Sequence, residues 1–135
     1  MLYLDASALV KRYVEEEGSV LVRSAMADAS DWFMCRIGFV ETLRAVGLSA
    51  GSRVAATVRR EWSAFGVIEL DAALAERAAE LTQAHELRSL DALHLAAALL
   101  LPKETVTLAT WDMRLHRAAR DNDLRVLPER VATAP

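Results

Sequence analysis

The chain has 135 residues, 53% hydrophobic and 26% charged, with 16 Lys or Arg against 19 Asp or Glu and a formal charge of −3. That suits one domain over residues 1–135, with a thin tail from about residue 129, and excludes a disordered or low-complexity chain. A single cysteine, Cys35, excludes a disulfide framework and a cysteine-clustered zinc site, and the mild acidity argues against a simple basic nucleic-acid binder.

Leu2 to Leu4 reads as a short buried strand that delivers Asp5 into a strand-to-helix junction at Asp5-Ala6-Ser7. A helix follows with Leu9, Val10 and Tyr13 on its apolar side, and Glu15 to Gly18 forms a surface turn. Ser19 to Met26 suits a second helix with Ser19 as candidate cap. Trp32 to Cys35 reads as a strand, with Cys35 a small buried residue. Gly38 to Leu48 has helical periodicity, and Gly47, Ser49, Gly51 and Ser52 interrupt or end it. Val54 to Phe65 predicts a helix, Gly66 ends it, and Val67 to Leu70 predicts a third strand. An alanine-rich helix runs from Asp71 or Ala72 to about His85, and another from Ser89 to about Leu101, where Pro102 stops it. Thr105 to Ala109 is a strand, Asp112 opens a helix ending near Asn122, and Leu124 to Leu127 is a last short strand. Short strands alternating with longer helices predict an α/β sandwich around a mostly parallel sheet. The start of the chain lacks the marks of a signal peptide, and the apolar run Leu95–Leu101 is far too short to span a membrane, so a cytoplasmic protein is expected.

Four acids stand out. Asp5 and Asp112 lie just beyond strands, where open parallel sheets bind their ligands. Asp91 lies in the first turn of a helix, and Glu41 sits inside an apolar helical segment. Each also has a structural reading. Asp5 suits a helix cap, Asp91 and Asp112 suit helix N-termini by their charge, and Glu41 suits a solvent-facing position. Taken singly, the residues leave both readings open. The chemistry that would gather them is a hard divalent cation, since Mg²⁺ prefers oxygen ligands and orients and deprotonates water. His85, His94 and His116 are scattered and suggest no zinc site, and His94 reads as packing against the sheet.

With Asp5-Ala6-Ser7, Glu41, Asp91-Ala92-Leu93-His94 and Thr110-Trp111-Asp112 in this order, the sequence resembles the PIN-domain nucleases, and looks most like the VapC-type toxins of type II toxin–antitoxin pairs. The likeness covers roughly residues 2 to 128. It implies a three-layer α/β/α PIN-like fold with a parallel sheet in strand order 3-2-1-4-5. It implies that Asp5, Glu41, Asp91 and Asp112 hold Mg²⁺ or Mn²⁺ for hydrolysis of RNA phosphodiesters, leaving 5′-phosphate and 3′-hydroxyl ends. Ser7 and Thr110 match hydroxyl residues that line such sites, and Arg114 is a candidate phosphate contact or a solvent-facing residue. The segment Arg36-Ile37-Gly38-Phe39 departs from the family pattern, in which a small polar residue often begins that helix.

The resemblance further implies a small cognate antitoxin, a homodimer, a heterotetramer or larger assembly with the antitoxin, and an RNA substrate such as tRNA or ribosomal RNA. Val14, Val20, Leu21 and the apolar side of residues 37–65 are candidate contact surfaces. Residues 36–60 carry five arginines (Arg36, Arg44, Arg53, Arg59 and Arg60) and one acid, which suits either RNA contact or solvated helix faces. Trp62 and Phe65 read as core. The alternative is a PIN domain that binds RNA or protein without cutting. A receiver-like domain is disfavoured because Lys11 and Lys103 are poorly placed for it. Setting the four acids aside leaves 15 acids against 16 bases, so the acidity does not bar RNA.

Overall fold

The computed structural model describes residues 1–131. Thirteen elements follow one another as β1 (Leu2–Leu4), α1 (Ala6–Tyr13), α2 (Ser19–Asp28), β2 (Trp32–Cys35), α3 (Arg36–Ala50), α4 (Ser52–Glu61), a 3₁₀ turn (Trp62–Ala64), β3 (Phe65–Ile68), α5 (Ala72–Ala84), α6 (Ser89–Ala98), β4 (Thr107–Ala109), α7 (Met113–Asp121) and β5 (Arg125–Leu127). The five strands pair in parallel in the order β3-β2-β1-β4-β5. Both the fold class and the strand order expected from the sequence are therefore present.

The strand pleat sorts side chains into two cores. Tyr3, Cys35 and Leu108 face α5, α6 and α7, together with Leu81, Leu95 and Leu115. Leu2, Leu4, Met34 and Ala109 face the other way, against Leu9 of α1 and Val22 and Met26 of α2. Central strand β1, three residues long and buried on both faces, reads as a continuous apolar run rather than an alternating one. Helix α6 is buried almost all round, through Ala92 and the run His94 to Ala98. Its small side chains let it lie close between the sheet and α5.

Several boundaries differ from the sequence reading for identifiable reasons. Ser19 is not the cap of α2. Gly18 takes that place at φ +92°, and the Ser19 hydroxyl instead donates to Val14 O and accepts from the Glu16 N–H, tying down the turn. Helix α3 starts directly after β2, at Arg36, with no capping side chain, and runs through Gly47 to Ala50. Phe65 is not helical: the chain tightens into the 3₁₀ turn at Trp62, and Phe65 enters β3 opposite Trp32. Trp62 and Phe65 stack at 5.5 Å between ring centroids, with Phe39 and Trp32 on their outer sides, so these aromatics are packing residues. The tail expected from about residue 129 is described only as far as Val131.

No helix among the described residues is long and apolar enough to cross a membrane. Val20, Val40 and Leu48 are strongly exposed, Leu21 less so, and Val14 is half-buried.

Two glycines make opposite predictions. Gly18 has positive φ, and a Cβ there would stand 2.7 Å from Trp111 Cζ2. Gly18→Ala is expected to lose about 1–3 kcal/mol from backbone strain and overpacking. Gly47 lies inside α3 with open space around it. Gly47→Ala is expected to gain about 0.5–1 kcal/mol through helix propensity. Urea unfolding midpoints check both signs.

Candidate active site

The sheet order reverses between β1 and β4, and the chain ends of these neighbouring strands carry Asp5 and Thr110-Trp111-Asp112. Asp5 is 4% exposed. It caps α1, accepting at Oδ1 from the Ala8 N–H at 2.9 Å, so the capping role holds alongside any chemical one. Ser7 Oγ donates to the same oxygen at 2.7 Å, and Thr110 Oγ1 donates to Oδ2 at 2.5 Å. Those hydroxyls in turn accept from the backbone beyond β4. Trp111 N–H donates to Ser7 at 2.9 Å, and Asp112 N–H to Thr110 at 3.1 Å. Both hydroxyl hydrogens point at Asp5, so the 3.4 Å approach between Ser7 and Thr110 has no proton left to bridge it. Burial pushes the Asp5 carboxyl above its ordinary value, while the charge of His94 when its ring is protonated, and the donors Thr110, Ser7 and Ala8, pull it back.

Asp112 caps α7 through Oδ1, which accepts from Arg114 N–H and Leu115 N–H at 3.0 Å each. Asp91 lies in the first turn of α6. Arg88, a residue to which the sequence reading gave no role, joins these two acids. Its Nε donates to Asp91 Oδ2 at 3.2 Å and its Nη2 to Asp112 Oδ2 at 2.5 Å. Asp91, then Asp112, hold the Arg88 guanidinium above its ordinary pKa.

Glu41 is half-buried on α3 and held by His94 of α6, Nε2 to Oε1, at 2.7 Å. The opposite ring nitrogen lies 2.7 Å from the Tyr3 hydroxyl, which also accepts from the Cys35 N–H at 3.1 Å. A neutral ring with its hydrogen on Nε2 satisfies the whole chain, from Cys35 through Tyr3 and His94 to Glu41. His94 thus packs against the sheet as expected, and it also aims Glu41. That second role has no local signal, because its partners are 91 and 53 residues away.

The four acids lie along one series of backbone and side-chain contacts. Thr110 joins Asp5 to Asp112, Arg88 joins Asp112 to Asp91, and His94 stands one turn beyond Asp91 and holds Glu41. Among the described residues no three His, Cys, Asp or Glu side chains form a ready-made metal cluster. The donor chemistry still fits a hard cation, being carboxylate and hydroxyl oxygen with no thiolate. Among the described residues Asp5 accepts only from neutral donors, which gives its buried charge no direct cationic partner there. Arg114 is exposed and reaches Asp112 only through its backbone N–H; its side chain borders a separate hollow with His85, Glu86 and Arg117.

A groove of about 510 Å³ runs beside the set, lined among others by Ser7, Lys11, Glu41, Arg44, Leu90 and Trp111. Lys11 is buried, donates to Glu17 O at 2.7 Å, and lies 4.8 Å from the Trp111 ring centroid. Hollows of about 550 and 650 Å³ lie against α7 and β5 and contain none of the four acids. The arginines of residues 36–60 do not act as one patch. Arg36 is tied to Glu69 by two bonds, Arg60 reaches Thr57, and Arg44 alone lines the groove beside Glu41.

A parallel sheet in this order, with acids gathered at its switch point, defines a PIN-like α/β/α domain. The PIN domain family pattern matches residues 2–121. Ribonuclease VapC45 of Mycobacterium tuberculosis is 35% identical over 97% of this chain and 97% of its own. The chain belongs to the PIN-domain family, in its VapC branch. Among solved structures, VapC20 of Mycobacterium tuberculosis, described as a sarcin–ricin loop cleaving toxin, superposes with a TM-score of 0.73 at 17% identity, covering 87% of this chain and 95% of that one. A toxin–antitoxin complex from Klebsiella pneumoniae superposes with a TM-score of 0.67 at 20% identity, covering 84% and 88%.

Removing the Tyr3 hydroxyl leaves the buried Cys35 N–H and His94 Nδ1 without partners. Tyr3→Phe is expected to lose about 1–3 kcal/mol of stability, read from urea unfolding.

Proposed function

We propose that this protein is a metal-dependent endoribonuclease and the toxin of a type II toxin–antitoxin pair. The observation that carries the reading is the buried Asp5 carboxylate at the β1–β4 switch point, linked through Thr110 to Asp112 and on through Arg88 to Asp91. Asp5 and Asp91 are assigned as direct ligands of Mg²⁺ or Mn²⁺, and Glu41 and Asp112 as ligands directly or through water. When bound, the cation supplies activation of a water and neutralisation of charge at the phosphate. The chain's own groups do the positioning. Ser7 and Thr110 fix both oxygens of Asp5, so its carboxylate cannot rotate away. His94 fixes Glu41, and the α7 cap fixes Asp112. Arg44 stands at the rim of the groove, where a phosphate would pass, and the apolar wall of Leu90 and Trp111 suits an exposed base. Arg114 is retained only as an outlying phosphate contact, beyond the groove.

The partner is a small cognate antitoxin, in keeping with the VapC branch and with the structural relative solved as a toxin–antitoxin complex. A homodimer, and a heterotetramer or larger assembly with antitoxin, accompany this reading, as does a cytoplasmic location. The exposed Val20, Leu21, Val40 and Leu48 offer apolar contact area. The substrate is a structured RNA, tRNA or ribosomal RNA.

A panel of tRNAs and ribosomal RNA fragments, with Mg²⁺, Mn²⁺ or EDTA, tests the reading. Cleavage is expected only with metal and is expected to fall by about 100-fold or more in Asp5→Asn. Cutting that survives both EDTA and the substitution would sink the mechanism. Tight RNA binding with no cutting under any metal would point to a non-catalytic PIN domain. In the same assay Thr110→Val, which removes one donor to Asp5, is expected to lose about 10–100-fold in rate.

A further inference from the structure

We propose that Arg88 is the built-in counter-ion of this site and competes with the divalent cation for Asp91 and Asp112. The proposal rests on the metal-dependent reading above. Asp91 and Asp112 come from different helices, and their facing Oδ2 atoms both bond to one guanidinium, at 3.2 and 2.5 Å. Without a cation there, two carboxylates would repel across the gap between α6 and α7.

The oxygens left over show why the two cations exclude each other. Oδ1 of Asp112 is held by two backbone N–H groups of α7. Oδ2 is thus the oxygen Asp112 can turn toward a ligand, and Arg88 has it. Asp91 keeps Oδ1 without a hydrogen-bond donor among the described residues, but gives Oδ2 to the same guanidinium. For both acids to serve a divalent ion fully, Arg88 must release at least the Asp112 oxygen.

The side chains differ in the way such an exchange requires. The carboxylates are nearly fixed, with side chains 11% and 19% exposed, whereas the Arg88 side chain is 64% exposed. An exposed guanidinium regains water when it leaves, so the pair yields readily to a doubly charged competitor. Arg88 also stands at the cap position of α6, directly before the helix that carries Asp91 and His94, so its release disturbs no packed core. Among the described residues neither Asp5 nor Glu41 is bonded to an arginine, which confines the competition to the Asp91–Asp112 side.

The test uses the metal-stripped full chain, with Mn²⁺ binding measured by calorimetry and by loss of the free Mn²⁺ resonance signal. Arg88→Gln is expected to bind Mn²⁺ about tenfold more tightly than the unaltered protein. Arg88→Lys, a point charge that cannot bridge both acids, is expected to fall between. Arg117→Gln, an equal charge loss on the exposed face of α7, is expected to stay within about twofold. Thermal unfolding gives an independent readout. Metal-free Arg88→Gln should melt below the metal-free unaltered protein, and saturating Mn²⁺ should close that gap. Equal or weaker Mn²⁺ binding by Arg88→Gln, with the unaltered protein binding normally, overturns the proposal and leaves the metal reading standing. An equal gain in Arg117→Gln also overturns it, since the effect would then be general charge. No Mn²⁺ binding by either the unaltered protein or Arg88→Gln overturns the metal reading and the proposal together.

Discussion

A carboxylate buried where β1 meets β4 needs donors, and Asp5 finds three of them on two pieces of chain. The α1 backbone gives Ala8 N–H, the first turn of that helix gives Ser7, and the end of β4 gives Thr110. Those same hydroxyls then accept the N–H groups of Trp111 and Asp112, which steers the chain out of β4 and into α7. One ionisable group thereby fixes the start of one helix and the approach to another. Burial raises its pKa, and among the described residues its donors are all neutral.

The other acids are fixed by different devices, and the devices decide their freedom. Asp112 is held by a helix end, Asp91 by an arginine, and Glu41 by a histidine that itself leans on a tyrosine of β1. Small residues make this possible. The alanines of α6 bring Asp91 and His94 close over the sheet, where a bulkier helix would hold them away.

Much of this is legible in the sequence. The apolar runs at Leu2–Leu4 and Trp32–Cys35, the alanine-rich helices and the acids after β1 and β4 identify the sheet and its switch point. What escapes a reading by spacing depends on distant partners. Phe65 looks helical because Trp62 and Phe65 keep a helical interval, yet strand pairing to Trp32 decides its state. Ser19 looks like a cap, but the preceding glycine with positive φ takes that place. Arg88 carries no motif of its own and gains meaning only when Asp112, 24 residues on, folds back beside Asp91.

The capping role of Asp5 and Asp112 has a consequence for any substitution at these positions. Each holds a helix start together, so replacing either one disturbs backbone order at that point as well as any chemistry its carboxylate performs. Glu41 holds no helix end and meets its partner from the middle of α3. Replacing it therefore disturbs no helix start, in contrast to Asp5 and Asp112.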